Sequence, residues 1–223
     1  MKAMILAAGL GTRLRPLTDT HPKALVEING RTLLEITLSR LRAFGVGEVI
    51  INVHHFADMI ADYLKSKNNF GLRIEISRED DLLLDTGGGL KKAAWFFLEE
   101  SGERRVASGE HLSEPFLLHN VDVLSNIDLR RMLQYHTEHR ALATLAVQSR
   151  DSSRLLLFDD QLQLCGRCIR NEETLIPGHQ KSVISSQARN LSSPPVGTSS
   201  RSSDASAERR YGPQGVSPLA TRH

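Results

Sequence analysis

Along the first 150 positions, apolar residues follow two alternating patterns. Ala3-Met4-Ile5-Leu6-Ala7-Ala8 and Glu48-Val49-Ile50-Ile51-Asn52-Val53 are short, nearly unbroken apolar runs. That is the pattern of strands buried on both faces. Between them Leu33, Leu34, Ile36, Thr37, Leu38, Leu41 and Phe44 recur at helical spacing over Thr32 to Phe44, and Gly45 stands where a helix would stop. Phe56, Met59, Ile60, Tyr63 and Leu64 predict a second helix over Phe56 to Lys65. Leu72-Arg73-Ile74-Glu75-Ile76 alternates with period two, as a strand with one polar face does. Further helices are predicted over Leu90 to Leu98 and Leu129 to His139, and strands over Pro115 to Leu118 and Ala141 to Val147. Arg154 to Asp160 reads as a strand and turn, with Leu162 to Cys165 as the returning strand of a hairpin. The polar stretch Glu99 to Pro115 reads as a long surface loop.

Strands alternating with helices predict an α/β fold, a mainly parallel sheet covered on both faces. Ligands of such sheets bind beyond the carboxyl ends of the strands. The segments after Ala8, Val53, Ile76 and Leu118 are therefore where chemistry is expected. Past Asn171 the pattern stops. From Thr174 to His223 there is no Phe or Trp, serines cluster and no period survives, which is the composition of a disordered segment. The expected organisation is one domain over 1–171 and a disordered or non-native tail over 172–223.

Composition narrows the function classes. The 223 residues are 40% hydrophobic, enough for a core, and carry a net charge of only +2. The basic residues are scattered, so no footprint for nucleic acid stands out. No apolar run reaches the roughly 18 residues of a membrane span, and the N-terminus has no signal-peptide pattern. A cytoplasmic location is expected. Cys165-Gly166-Arg167-Cys168 has C-x-x-C spacing but lacks both the further ligands of a zinc site and the strand-to-helix setting of a redox site. His54-His55 has no acidic partner near it in sequence and reads as a loop lining the pocket.

The candidate chemistry lies in the exit from the first strand, Gly9-Leu10-Gly11-Thr12-Arg13. Glycines there let a ligand approach the backbone, and exposed N–H groups form an anion-binding concavity. The dinucleotide fingerprint fails, because Leu14 stands where Gly or Ala is needed, and no Walker Gly-Lys-Ser/Thr follows. This disfavours an NAD-binding dehydrogenase. Arg13 supplies a planar fork of donors and Lys23 a compact charge, the latter held in a defined loop position by Pro22. A glycine cradle with two fixed cations suits a polyphosphate, above all a departing pyrophosphate.

Leu6-Ala7-Ala8-Gly9-Leu10-Gly11-Thr12-Arg13-Leu14-Arg15-Pro16-Leu17-Thr18, followed by Pro22-Lys23-Ala24-Leu25, resembles the signature of the sugar-1-phosphate nucleotidyltransferases. Ile51 to His55 and Asp85-Thr86-Gly87-Gly88-Gly89-Leu90-Lys91-Lys92-Ala93 resemble its N-acetylmuramate-1-phosphate uridylyltransferase and mannose-1-phosphate guanylyltransferase-like branch. The resemblance covers about residues 1 to 165. It implies a Rossmann-like sheet of the nucleotide-diphospho-sugar transferase type, and an NTP (UTP or GTP) and a sugar-1-phosphate as substrates. It also implies roles. Gly9, Gly11, Thr12 and Arg13 would bind the triphosphate, and Lys23 would contact phosphate near the reacting centre. Ala8 and Gly87-Gly88-Gly89 would approach base and ribose through backbone groups, Asn120 would hold the nucleotide, and Asp122 would ligate Mg²⁺. Arg13, Lys23 and Asp122 would be the catalytic residues.

Relatives would continue beyond Cys165 with strands of the sugar pocket and a second metal carboxylate. Thr174 to His223 resembles none of that, so truncation, frameshift or read-through is expected. Two further readings stay open at this level: a nucleotide-binding protein without turnover, and a phosphocholine cytidylyltransferase of the same family.

Overall fold

The computed structural model describes residues 1–98, 114–148, 152–169, 172–175 and 217–221. They belong to two compact units, Met1–Ser125 and Asn126–His223. The first unit runs β1 (Lys2–Leu6), a small hairpin β2 (Glu27–Ile28) and β3 (Arg31–Thr32), α1 (Leu33–Phe44), β4 (Glu48–Val53), α2 (Ala57–Ser66), β5 (Arg73–Arg78), α3 (Asp85–Lys92), α4 (Ala94–Leu98) and β6 (Leu117–Asn120).

Four strands lie side by side in the order β5-β4-β1-β6, and every pair is parallel. The apolar runs become the middle of this sheet for the reason their pattern gives. Met4, Ile50 and Leu6 pack with Ala93 and Phe96 on one face, while Ala3, Ile5, Val49 and Ile51, which alternation turns to the other face, are fully buried as well. The edge strand β5 keeps Arg73 exposed, as its period-two pattern predicts. The start and stop of α1 are chemical: the Thr32 hydroxyl accepts the Glu35 N–H at 3.0 Å, and Gly45 takes the left-handed conformation (φ 104°).

The apolar stretch predicted as one helix over Leu90–Leu98 is two. Helix α3 begins earlier, at Asp85, so that Gly87, Gly88 and Gly89 belong to its opening turns, and it ends at Ala93 (ψ 0°). The break lets Phe96 reach the core with Ala93, a packing demand that local spacing does not encode. The expected loop over Glu99–Pro115 lies mostly outside the described residues.

The second unit contains α5 (Leu129–Glu138), β7 (Ala143–Val147), β8 (Arg154–Phe158), β9 (Leu164–Ile169), β10 (Glu172–Leu175) and β11 (Ser217–Thr221). Asp128 caps α5, its Oδ1 accepting the N–H groups of Arg130 and Arg131 at 3.0 and 3.1 Å. The predicted hairpin is present as β8–β9, with β10 added to it antiparallel. Cys165 and Cys168 both lie on β9, and three positions along a strand turn two side chains to opposite faces. Both thiols are free, and Gly166 between them is required because a Cβ would collide with the Thr174 carbonyl.

Strands β10 and β11 fall within 172–223, where composition predicts no regular structure; the rest of that segment lies outside the described residues. Strand β11 pairs antiparallel with β7 from Ser217↔Val147 to Thr221↔Ala143. Such pairing uses main-chain groups, which explains why no side-chain period announces it.

Replacing Ile50 with Ala removes a fully buried side chain from the middle of the sheet. It is expected to lower stability by about 2–5 kcal/mol, read as a drop in the urea unfolding midpoint at unchanged slope.

Candidate functional site

The chain order of the sheet places β4 and β5 on one side of β1 and β6 on the other. A crevice opens at such a reversal, beyond the carboxyl ends of the strands. Register fixes what borders it. Asn52, Leu6 and Asn120 stand in one row across β4, β1 and β6, so the three exits start level.

The exit from β1 is a turn built on glycine. Gly11 sits at φ 65°, and a Cβ there would lie 2.9 Å from Thr18 Cγ2 and 3.2 Å from Lys23 Cβ. The Thr18 hydroxyl, itself buried, donates to the Gly11 carbonyl at 2.9 Å. At Gly9 an added Cβ would lie 3.2 Å from Lys23 Nζ. The glycines thus let the Lys23 side chain run against the loop backbone. Pro22 (φ −66°, ψ 147°) leads into the short 3₁₀ turn Lys23–Leu25, which holds that lysine by Leu25 N–H to Pro22 carbonyl at 2.9 Å. Gly9, Leu10, Thr12 and Arg13 are exposed, whereas the Ala8 side chain is buried and leaves its backbone as the accessible part.

Across the crevice, β6 ends at Asn120, and Val121-Asp122 follow as a turn. The Val121 N–H donates to the Leu6 carbonyl at 3.2 Å, continuing the sheet beyond the strand. Asp122 Oδ1 then comes to 3.5 Å from Lys23 Nζ. Two residues far apart in sequence, one expected to meet phosphate and the other a metal, therefore form one ion pair. The lysine side chain is only 13% exposed against 31% for the aspartate, so the pair is partly screened from water and the carboxylate is its open side. His119 Nδ1 donates to the Asn120 carbonyl at 2.7 Å. Burial pushes its imidazole below the ordinary 6.5; the Asn120 hydrogen bond opposes this, Arg40 adds to the depression and Asp122 opposes it.

The third border is the start of α3. Gly87 is open, with nothing within 4 Å of an added Cβ, and Gly88 packs on Leu84. A Cβ at Gly89 would lie 2.7 Å from Asn52 Nδ2 and 2.8 Å from Glu79 Oε1. Gly89 is small because two buried polar side chains fill the space a Cβ would need.

The Asn120, Lys23 and Asp122 group and the Gly9–Gly11 loop are brought together, and Ala8 follows directly on Ala7, whose N–H reaches Asn52. Thr12 and Arg13 stand on the exposed turn leaving the loop. Sequence reasoning missed Thr18, Asn52 as a site residue, and Glu79. Asn52 could have been found as the one amide in an apolar run. Glu79 was hidden in the acidic stretch Glu79-Asp80-Asp81. His54 does not face a metal cluster: its Nδ1 donates to the Glu79 main-chain carbonyl, and no group of three or more His, Cys, Asp or Glu is gathered among the described residues.

A family profile described as nucleotidyl transferase matches residues 2–155. The chain belongs to the nucleotidyl transferase family. N-acetylmuramate alpha-1-phosphate uridylyltransferase of Caulobacter vibrioides is 52% identical over 93 residues, 41% of this chain and 38% of that protein. Mannose-1-phosphate guanylyltransferase 1 of Arabidopsis thaliana is 34% identical over 152 residues, 68% and 39% respectively. The chain thus spans under half the length of these nucleotidyl transferases. The crystal structure of HddC from Yersinia pseudotuberculosis complexed with GMP-PN superposes with a TM-score of 0.56 at 23% identity, over 77% of this chain and 70% of that one. Its likeness shows a Rossmann-like fold for this chain. No helix among the described residues is long and apolar enough to cross a membrane.

Gly11→Ala is expected to cost about 1–3 kcal/mol, since the left-handed conformation is strained for alanine and Thr18 must move; a lowered thermal midpoint checks it. Acid should also weaken the fold. As pH falls through the ordinary histidine value the unfolded chain takes up a proton that folded His119 resists, so stability is present above that value and declines below it. The decline between about pH 7 and 5, followed by denaturant midpoints, is expected to be shallower in His119→Gln.

Proposed function

We propose that the protein transfers a nucleotidyl group from an NTP to a sugar-1-phosphate, giving an NDP-sugar and pyrophosphate. The observation that carries this reading is the Lys23–Asp122 pair at 3.5 Å, beside a glycine turn at the reversal point of a parallel sheet. A phosphate oxygen of the sugar-1-phosphate attacks the α-phosphorus in line, and the bond from that phosphorus to the bridging oxygen of pyrophosphate breaks. Phosphate monoesters have a second pKa of about 6, so the nucleophile is already ionised and no general base is required. Positioning and charge neutralisation are what the protein must supply.

Each side chain has a place in that task. The N–H groups of the Gly9–Gly11 turn and the exposed Arg13 receive the β- and γ-phosphates, and Thr12 borders them. Lys23, held against the turn, meets the phosphate nearest the reacting centre. Ala8 and the open Gly87-Gly88-Gly89 segment offer main-chain groups to base and ribose, and Asn120 borders the ribose from the β6 side. The donor set fits Mg²⁺: one partly exposed carboxylate oxygen, with no protein cage around it among the described residues, suits a cation that keeps waters and takes its other ligands from phosphate. Asp122 would hold it, and its charge would stabilise the leaving pyrophosphate. The relatives above are named for uridylyl and guanylyl transfer, which makes UTP and GTP the first candidates here.

A second reading is nucleotide binding without turnover. A panel of UTP, GTP, CTP and ATP with sugar-1-phosphates, and CTP with phosphocholine, separates the readings through pyrophosphate release. Release with a sugar-1-phosphate is expected, and NTP binding without any release would defeat the transferase reading. Where release is seen, Arg13→Ala and Asp122→Asn are each expected to lower it by about 10²–10³-fold, the usual effect of removing one transition-state charge partner.

A further inference from the structure

The most thoroughly buried charged residue among those described in the first unit has no part in the mechanism above. Glu79, 1% exposed, follows β5, and its carboxyl group is enclosed. Its Oε1 accepts from Asn52 Nδ2 at 2.8 Å, and its Oε2 accepts the Leu84 N–H at 2.9 Å. Asn52, 2% exposed, accepts the Ala7 N–H on its Oδ1 at 2.9 Å. The Ala7 donor fixes which end of the amide is oxygen, so the direction of every link is determined. The result is a one-way relay, Ala7 N–H to Asn52, Asn52 to Glu79, with Leu84 N–H arriving from the far side. Two donors converge on residue 79, one on each oxygen, and only a carboxyl group accepts both. Its backbone is anchored too, the N–H donating to the Val53 carbonyl at 2.8 Å.

The relay joins two borders of the candidate site. Ala7 lies two residues before Gly9 of the glycine turn; Leu84 immediately precedes α3 with its three glycines. Gly89 lies so close to the Asn52–Glu79 hydrogen bond that it admits no Cβ. We propose that Glu79 is a positioning residue: through Asn52 and Leu84 it locks the 84–89 segment to the exit of β1 and so determines which nucleobase the pocket accepts. The proposal rests on the nucleotidyl-transfer reading. The physical basis is that main-chain groups discriminate between bases only if their spacing is fixed, and this buried relay is what fixes it.

The relay can be reversed by exchanging two groups. Glu79→Gln alone turns an amide donor toward Asn52 Nδ2 or toward the Leu84 N–H, and Asn52→Asp alone sets two carboxyl groups together. The double variant combines Asn52→Asp with Glu79→Gln. Its carboxylate at position 52 accepts from both the Ala7 N–H and the new amide at position 79. The oxygen of that amide accepts from the Leu84 N–H, so every link is restored. The full chain and these variants are titrated calorimetrically with UTP, GTP, CTP and ATP in the presence of Mg²⁺, and amide exchange is followed at Ala7 and over 84–89. Glu79→Gln is expected to speed exchange at those amides and to weaken the preferred nucleotide by about ten- to a hundredfold. The other nucleotides are expected to change less, so the preference flattens. The double variant is expected to recover both preference and protection, and it carries the test if Glu79→Gln does not fold. Lowered stability with the ranking and ratio of the four nucleotides unchanged would make Glu79 a fold residue only and overturn the proposal, as would a folded double variant without the wild-type preference. Failure of the wild type to bind any of the four overturns the parent reading and this one together.

Discussion

Everything at the carboxyl edge of the first unit depends on the parallel pairing of β1 with β4 on one side and β6 on the other. Parallel strands end at the same edge, and a common register makes them end level: Asn52, Leu6 and Asn120 form one row. Turns that leave three neighbouring strands from a level row must meet above it. The glycine turn, the Asn120–Asp122 segment and the relay through Asn52 are three such departures. The apolar runs that build the sheet therefore do more than supply a core. Their burial on both faces fixes the relative height of groups that are far apart in the chain.

The meeting of the departures is governed by polar burial. Lys23 is brought against the glycine turn because Gly9 and Gly11 carry no side chains to exclude it, and Thr18 ties the same turn. On the other side Asn52 and Glu79 occupy positions where an apolar residue would pack as well by volume. Buried polar groups are costly unless donors meet acceptors, and each link of the relay from Ala7 to Leu84 joins a donor to an acceptor. A network of this kind loses more by one mismatched partner than an apolar core loses by a small change of shape.

The sequence made the framework legible because strands and helices are written in period: β1, α1, β4, α2, α5 and the β8–β9 hairpin fall where apolar spacing puts them. The glycine turn and its two cations were legible because those residue types in that order have few other uses. What was hidden depends on tertiary partners. The break at Ala93 follows from where Phe96 must go, and the placement of Gly87-Gly88-Gly89 inside α3 from what packs against Gly89. Glu79 was unreadable because a buried and a solvated glutamate look alike until a strand and a turn enclose one of them. Strand β11 was unreadable because main-chain pairing leaves no mark on side-chain pattern.

The level row also limits how β6 can change in length. One residue inserted between Leu117 and Asn120 would turn every later side chain to the opposite face, carrying Asn120 away from the crevice. Two inserted residues would restore the faces but displace Asp122 by roughly 7 Å along the strand direction. That is twice its present separation of 3.5 Å from Lys23, and the ion pair would be gone. Neither parity of insertion is acceptable, so this strand behaves as a ruler: substitutions can be absorbed along it, but its count of residues cannot drift.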